Sequence, residues 1–148
     1  MGMVDISDKQ VTKRLAVACG EIVFSKKAFG ILLKQGSPKG NVFESAKIAG
    51  IMAAKRTPSL IPFCHPLCLE KVSVSFEMLK AKNTVKVIAE VSCSGKTGVE
   101  MEALSAVSAA CLTIYDMMKF TGQDITITDI RLIHKSGGKS GVYDRKRP

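Results

Sequence analysis

Near the end of one long apolar stretch, Asp116 and Lys119 stand three residues apart, one turn of a helix, close enough to pair. An acid there opposes the negative end of the helix, a placement that a purely structural choice avoids. Beside a lysine, such an acid can take up a proton while the ammonium gives one. Glu100 and Glu102 stand at the opposite end of the same stretch, where carboxylates complement the positive end of a helix. Cys64-His65 lies between Pro62 and Pro66, in a loop too stiff and too apolar for an ordinary connector. Loops of that kind hold a polar group toward a ligand. Gly95-Lys96-Thr97-Gly98 delivers backbone N–H groups to a helix start, which suits an anion. Lys135 and Lys139 belong to a glycine-rich basic loop, KSGGKSG.

Two tempting readings fail on spacing. Gly95-Lys96-Thr97 and Gly138-Lys139-Ser140 resemble the end of a Walker phosphate loop, but its first glycine would fall on Glu90 or Ile133. Cys64, His65 and Cys68 could form half a zinc site, but no second cysteine pair exists and His134 is far along the chain. No metal site is expected.

The chain that must position these groups has 148 residues, 46% apolar and 24% charged, the mix of one soluble globular domain spanning residues 1–148. Its 22 basic and 13 acidic residues leave a net charge of +9, which favours an anionic partner. With no Trp, two Tyr and six Phe, it has few aromatics to spare for stacking bases. The N-terminus lacks the apolar stretch of a secretory signal and no charge-free run is long enough to span a bilayer, so a cytoplasmic protein without membrane contact is expected. The odd cysteine count of five, without a regular framework, fits that reducing compartment.

Hydrophobic periodicity orders the elements. Residues 1–10 read as a loose polar arm. A strand follows over about Arg14–Phe24, with Leu15, Val17 and Cys19 alternating with small residues. Ser25 caps a short helix over 26–35, and Asn41 caps a second that closes at Lys55-Arg56. The proline-rich TPSLIPFCHPL reads as an irregular packed loop. Alternation over Val72, Val74, Phe76 and Met78, and over Val85, Val87, Ala89 and Val91, gives a hairpin within 70–93. A long helix runs over about 99–119. The last strand, about 124–134, changes register near Asp129, which implies a bulge. The glycine-rich tail from about 136 to 148 reads as flexible. The order β-α-β-β-α-β with one extra helix predicts a ferredoxin-like α+β sandwich, an antiparallel sheet with helices on one face.

Four segments then coincide in order with one family. LIPFCHPL at 60–67, GKTGVEMEAL at 95–104, TIYDMMK at 113–119 and KSGGKSG at 135–141 resemble the cyclic pyranopterin monophosphate synthases, lyases of molybdenum-cofactor biosynthesis. The similarity continues through KGNVFESAKIAGIMAAKRT and covers roughly residues 3–143. It implies conversion of 3′,8-cyclo-7,8-dihydroguanosine 5′-triphosphate to cyclic pyranopterin monophosphate, with release of pyrophosphate. It also implies a homohexamer, a trimer of dimers. Carried over by motif, Asp116, Lys119, Lys39 and Lys135 are the catalytic residues, and Phe63, Cys64, His65, Glu100, Met101 and Glu102 bind substrate. Asp116 and Lys119 would transfer protons, Lys39 and Lys135 would serve phosphate and general-acid work, and His65 with Glu102 would hold the base. Phe63 stands where Leu is more usual, and Asn41 where Asp is usual, still able to cap a helix. No resident cofactor is implied, and a magnesium ion can ride on the triphosphate. The competing class, an RNA-binding module of the same strand plan, lacks its stacking platform, because the strand from Thr84 to Cys93 carries no aromatic residue.

Helix geometry adds one expectation. Glu102 and Asp116, 14 residues apart, are separated by roughly 21 Å along a helix and differ by only about 40° in direction. Between them lie Ser105, Ala109 and Leu112. An antiparallel copy of the helix across a two-fold axis would bring Asp116 and Lys119 of one chain near Cys64, His65 and Glu102 of the other.

Overall fold

The computed structural model describes residues 1–146. Its elements are β1 (Thr12–Val23), α1 (Lys26–Lys34), α2 (Val42–Lys55), the single turn α3 (Thr57–Leu60), β2 (Leu69–Leu79), β3 (Thr84–Gly95), α4 (Glu100–Met118), β4 (Thr126–Ser136) and β5 (Tyr143–Asp144). The five strands form one sheet in the order β2-β3-β1-β4-β5, every neighbouring pair antiparallel. With β5 set aside, that is the order of a ferredoxin-like α+β sandwich, as the element pattern predicts.

The helices lie on one face. α4 packs across β1, β3 and β4, and α2 packs against α4 and β2. Long and apolar enough by composition to cross a bilayer, α4 is instead the core helix, burying Ala103, Ala106, Val107, Ala110, Cys111, Ile114 and Met118. Ser25 accepts a hydrogen bond from the Ala28 N–H and caps α1; Asn41 accepts from Phe43 and Glu44 and caps α2. The β2–β3 turn closes on Asn83 in the left-handed conformation.

The structure adds detail at three places. On β1 the helix-facing register is the small one, Ala16, Ala18 and Ile22 with Gly20 between, paired with Val91, Ala89, Val85 and Val87 of β3. The cause is the close approach of α4: a Cβ on Gly20 would stand 2.8 Å from Val107 Cγ1. The proline loop is not packed throughout. Pro58 occupies the first turn of α3, where its missing N–H costs nothing, while Leu60 and Phe63 remain 63% and 51% exposed. The tail leaves the sheet after Ser136, which closes β4, and comes back to it: Tyr143 and Asp144 pair with Lys135 and His134; residues 147–148 lie outside the described residues. The bulge at Asp129 is present, with φ 58°, and a second register shift falls opposite Val17/Ala18.

The sheet's other face is polar toward the β2 edge, where Lys71 pairs with Glu90 and Lys86 with Glu77. Gly50 marks the tightest helix–helix approach, since a Cβ there would stand 2.9 Å from the Ala106 carbonyl oxygen. Gly30, on α1, faces open space. Gly50→Ala is therefore expected to lower stability by about 1–2 kcal/mol through overpacking. Gly30→Ala should raise it by about 0.5–1 kcal/mol through helix propensity. Urea unfolding of the two variants checks the opposite signs.

Candidate active site

At the C-terminal end of α4, Asp116 is held between two lysines. Lys39 Nζ donates to Asp116 Oδ2 at 2.6 Å, and Lys119 Nζ lies 2.8 Å from Oδ1. Lys39 reaches there because the loop before α2 is fastened to the helix end: Ser37 Oγ donates to the Met117 carbonyl at 2.6 Å. That loop satisfies carbonyls the helix leaves open, and its lysine offsets an acid that opposes the dipole. The hydrogen bonds from Lys119 and Lys39 lower the Asp116 carboxyl to about 2, and the same contact raises the Lys119 ammonium. In the free protein Asp116 is thus a fixed anion and a weak base, and Lys119 a well-held proton donor. This modifies the expectation of Asp116 as a ready acceptor.

The other end of α4 carries the second group. Lys135, on β4, donates to Glu100 Oε1 at 3.0 Å, with both side chains mostly shielded. Gly98 leaves the space Glu100 needs, since any Cβ there would fall on its carboxylate. Glu102 is 3% exposed, and burial pushes its carboxyl above the usual range, with the charge of Glu100 adding to the rise. Burial also raises the Cys64 thiol, with Glu102 adding to it, so Cys64 stands as a thiol near that carboxylate, suited to contact and not to nucleophilic attack. His65 sits beside Cys64, and the N-terminal arm comes near. Asp5, lowered first by its hydrogen bonds from Ser7, also feels Lys96 and His65. Phe63 and Met101 are exposed at this end.

Adjoining this end is a cleft of about 790 Å³. The arm at Asp8–Gln10, the turn Lys96–Gly98 and the loop 135–140 wall it. Lys9, Arg14, Lys96, Lys135 and Lys139 line it against only Asp8 and Glu100. Arg14 is fixed by donating to the carbonyls of Gly95 (3.1 Å) and Lys96 (3.2 Å). Gly138 abuts its guanidinium so closely that no Cβ fits. Lys96 Nζ donates to the Ser7 carbonyl at 2.7 Å and ties the arm beside the cleft, where Asp8–Gln10 form part of the wall. The sequence expectation missed Lys9, Arg14 and Lys96. Arg14 had a legible signal, a charge in the register of Ala16, Ala18 and Gly20.

The structure therefore gathers Lys39, Asp116 and Lys119 at one end of α4. It gathers Cys64, His65, Glu100, Glu102 and Lys135 toward the other. It does not bring the two groups together within one chain. Among the described residues no three His, Cys, Asp or Glu side chains gather as a metal site.

The profile of the MoaC family matches residues 3–138. This chain belongs to that family. It is 53% identical over 144 residues to the cyclic pyranopterin monophosphate synthase of Parvibaculum lavamentivorans, covering 97% of this chain and 90% of that relative. A synthase of the same name from Helicobacter pylori is 49% identical over 145 residues, covering 98% of this chain and 92% of its own. The mitochondrial synthase of Arabidopsis thaliana is 50% identical over 143 residues, 97% of this chain but 53% of the longer plant protein. Membership in the MoaC family agrees with the resemblance carried by the four motifs.

The two lysines on Asp116 make a prediction. Its ionised form is favoured, so the stability this carboxylate contributes is fully present above the ordinary carboxylate range and is lost as pH falls toward about 2. Carbonyl-carbon NMR should place the Asp116 midpoint near 2. Lys39→Ala and Lys119→Ala should each move it upward. A midpoint already in the ordinary range would contradict the bracketed geometry.

Proposed function

We propose that this MoaC-family chain is a cyclic pyranopterin monophosphate synthase that converts 3′,8-cyclo-7,8-dihydroguanosine 5′-triphosphate with release of pyrophosphate. The observation that carries the reading is the pairing of a five-cation cleft with carboxylate–lysine groups at both ends of α4. A triphosphate needs that many cations; the four lysines supply ammoniums, and Arg14, its Nε and Nη2 held by the Gly95 and Lys96 carbonyls, adds a fixed positive charge. Closing the cyclic phosphate requires a ribose hydroxyl to attack the α-phosphorus as the bond to pyrophosphate breaks. Lysines at the cleft offset the charge on the attacked and leaving oxygens. Lys135, already bound to Glu100, is placed to protonate a leaving oxygen while Glu100 steadies it.

The purine rearrangement needs repeated proton transfers. Lys119 supplies one proton donor, with Asp116 holding it and Lys39 in place. Once substrate competes for the lysines, the Asp116 carboxylate becomes a stronger base, because the hydrogen bonds that depress it are loosened. Glu102 and His65 hold the base, with Cys64 as a neutral contact. Phe63 and Met101 offer apolar surface beside them. No resident cofactor is needed for these steps, and a magnesium ion would travel on the phosphates.

The two groups are far apart along α4, so the complete site takes one from each of two chains. The outward stripe of α4, with Met101, Ser105, Ala109 and Leu112, is small and apolar enough for an antiparallel partner helix. Other exposed apolar side chains, among them Ile48, Met52 and Leu60, leave surface for further subunits, consistent with a homohexamer built as a trimer of dimers. Five free cysteines support a reducing, cytosolic compartment.

Incubation of the purified protein with the cyclised guanosine triphosphate should yield pyrophosphate and a pterin. Asp116→Asn and Lys119→Ala should each lower turnover at least about 100-fold, as expected for lost proton transfer, while the melting curve stays close to that of the unaltered protein. Near-normal turnover in either variant would contradict the assignment.

A further inference from the structure

The loop that carries Lys139 over the cleft returns to the sheet through only two residues of β5. At that return, His134 Nδ1 and Asp144 Oδ1 lie 2.6 Å apart across the strand pair. The Arg145 N–H donates to the Ile133 carbonyl at 2.9 Å just beyond, and within the loop the Gly141 N–H donates to the Gly138 carbonyl at 3.2 Å. His134 and Lys135 are consecutive on β4, so they point to opposite faces. Lys135 reaches Glu100 on the helix side, while His134 meets Asp144 on the outer side. Val17 of β1 separates His134 from Glu90 of β3, and Glu90 is already paired with Lys71. Arg131 on β4 is paired with Asp129, and Arg145 follows Asp144 just past the end of β5. Among these charges, Asp144 is the one bonded to the imidazole.

We propose that His134 and Asp144 form a clasp that holds the 137–141 loop closed over the cleft and backs the strand segment that aims Lys135. They are positioning residues, since neither lines the cleft. The inference rests on the reading of that cleft as a phosphate site only for its effect on the ligand. The loop's glycines cannot hold it by side-chain packing, and Gly137 and Gly138 take positive φ values of 99° and 76°. A two-residue strand supplies little pairing energy, so the bond at its end weighs in the balance between closed and open.

Hydrogen exchange at the Arg145 amide reads the clasp directly. His134→Ala and Asp144→Asn should speed it about two- to fivefold, the range of a partly exposed side-chain contact, and Asp144→Glu should restore much of the protection. Pyrophosphate affinity, measured by calorimetry, should weaken in the same two variants by up to that factor. In turnover, KM should rise, and kcat should fall by no more than the same factor, because the same strand segment aims Lys135. Unchanged exchange in His134→Ala would overturn the clasp. Faster exchange with unaltered pyrophosphate affinity and KM would overturn its positioning role. Failure of the unaltered protein to bind pyrophosphate would instead overturn the phosphate reading, and the exchange result would then decide the clasp by itself.

Discussion

The rise of an α-helix constrains this protein more than any other feature. α4 is seated in the core and carries candidate site groups at both ends. Roughly 1.5 Å per residue over the 14 residues between Glu102 and Asp116 fixes a separation that no rotamer can close. Everything else follows from what is fastened to each end. The loop before α2 brings Lys39 to the C-terminal end, and β4, the 96–98 turn and the arm bring cations to the N-terminal end. Placing the groups on one buried helix makes each end precise and keeps the two groups apart within one chain.

Precision at each end comes from backbone contacts more than from side-chain packing. Gly98 makes room for the Glu100 carboxylate, Gly138 for the Arg14 guanidinium, and Gly50 and Gly20 let α2 and β1 approach α4. Burial does the electrostatic work at one end and ion pairing does it at the other. Glu102 is raised by desolvation, whereas Asp116 is lowered by two hydrogen-bonded ammoniums. Two carboxylates on one helix thereby acquire opposite tendencies, one toward holding a proton and one toward remaining charged.

The strand and helix order was legible because period-2 and period-3.6 patterns are clear in β2, β3 and α4, and because Ser25, Asn41 and Asp129 carry local backbone chemistry. Lys39, Asp116 and Lys119 could be named from motif, and their mutual contact follows from folding. Arg14, Lys9 and Lys96 were not found. Lys9 and Lys96 depend on distant segments converging, which no local pattern encodes, whereas Arg14 carries a local signal, a charge in the helix-facing register of β1. The alternation on β1 was legible but not which face it turns to the helices, because size, and not hydrophobicity, decides which face α4 can approach. The return of the tail as β5 was hidden by its glycines, since two backbone pairings leave no periodicity to detect.

The central claim is that one catalytic site draws on both ends of α4 through two chains. Subunit mixing tests it most directly. His65→Ala and Asp116→Ala proteins, each inactive alone, are combined, dissociated and reassociated, with exchange verified by native mass spectrometry. A mixed dimer then holds one intact site and one doubly broken site, so random pairing should restore about a quarter of the unaltered activity. A mixture that remains inactive despite proven exchange would place the whole site within a single chain and contradict the account.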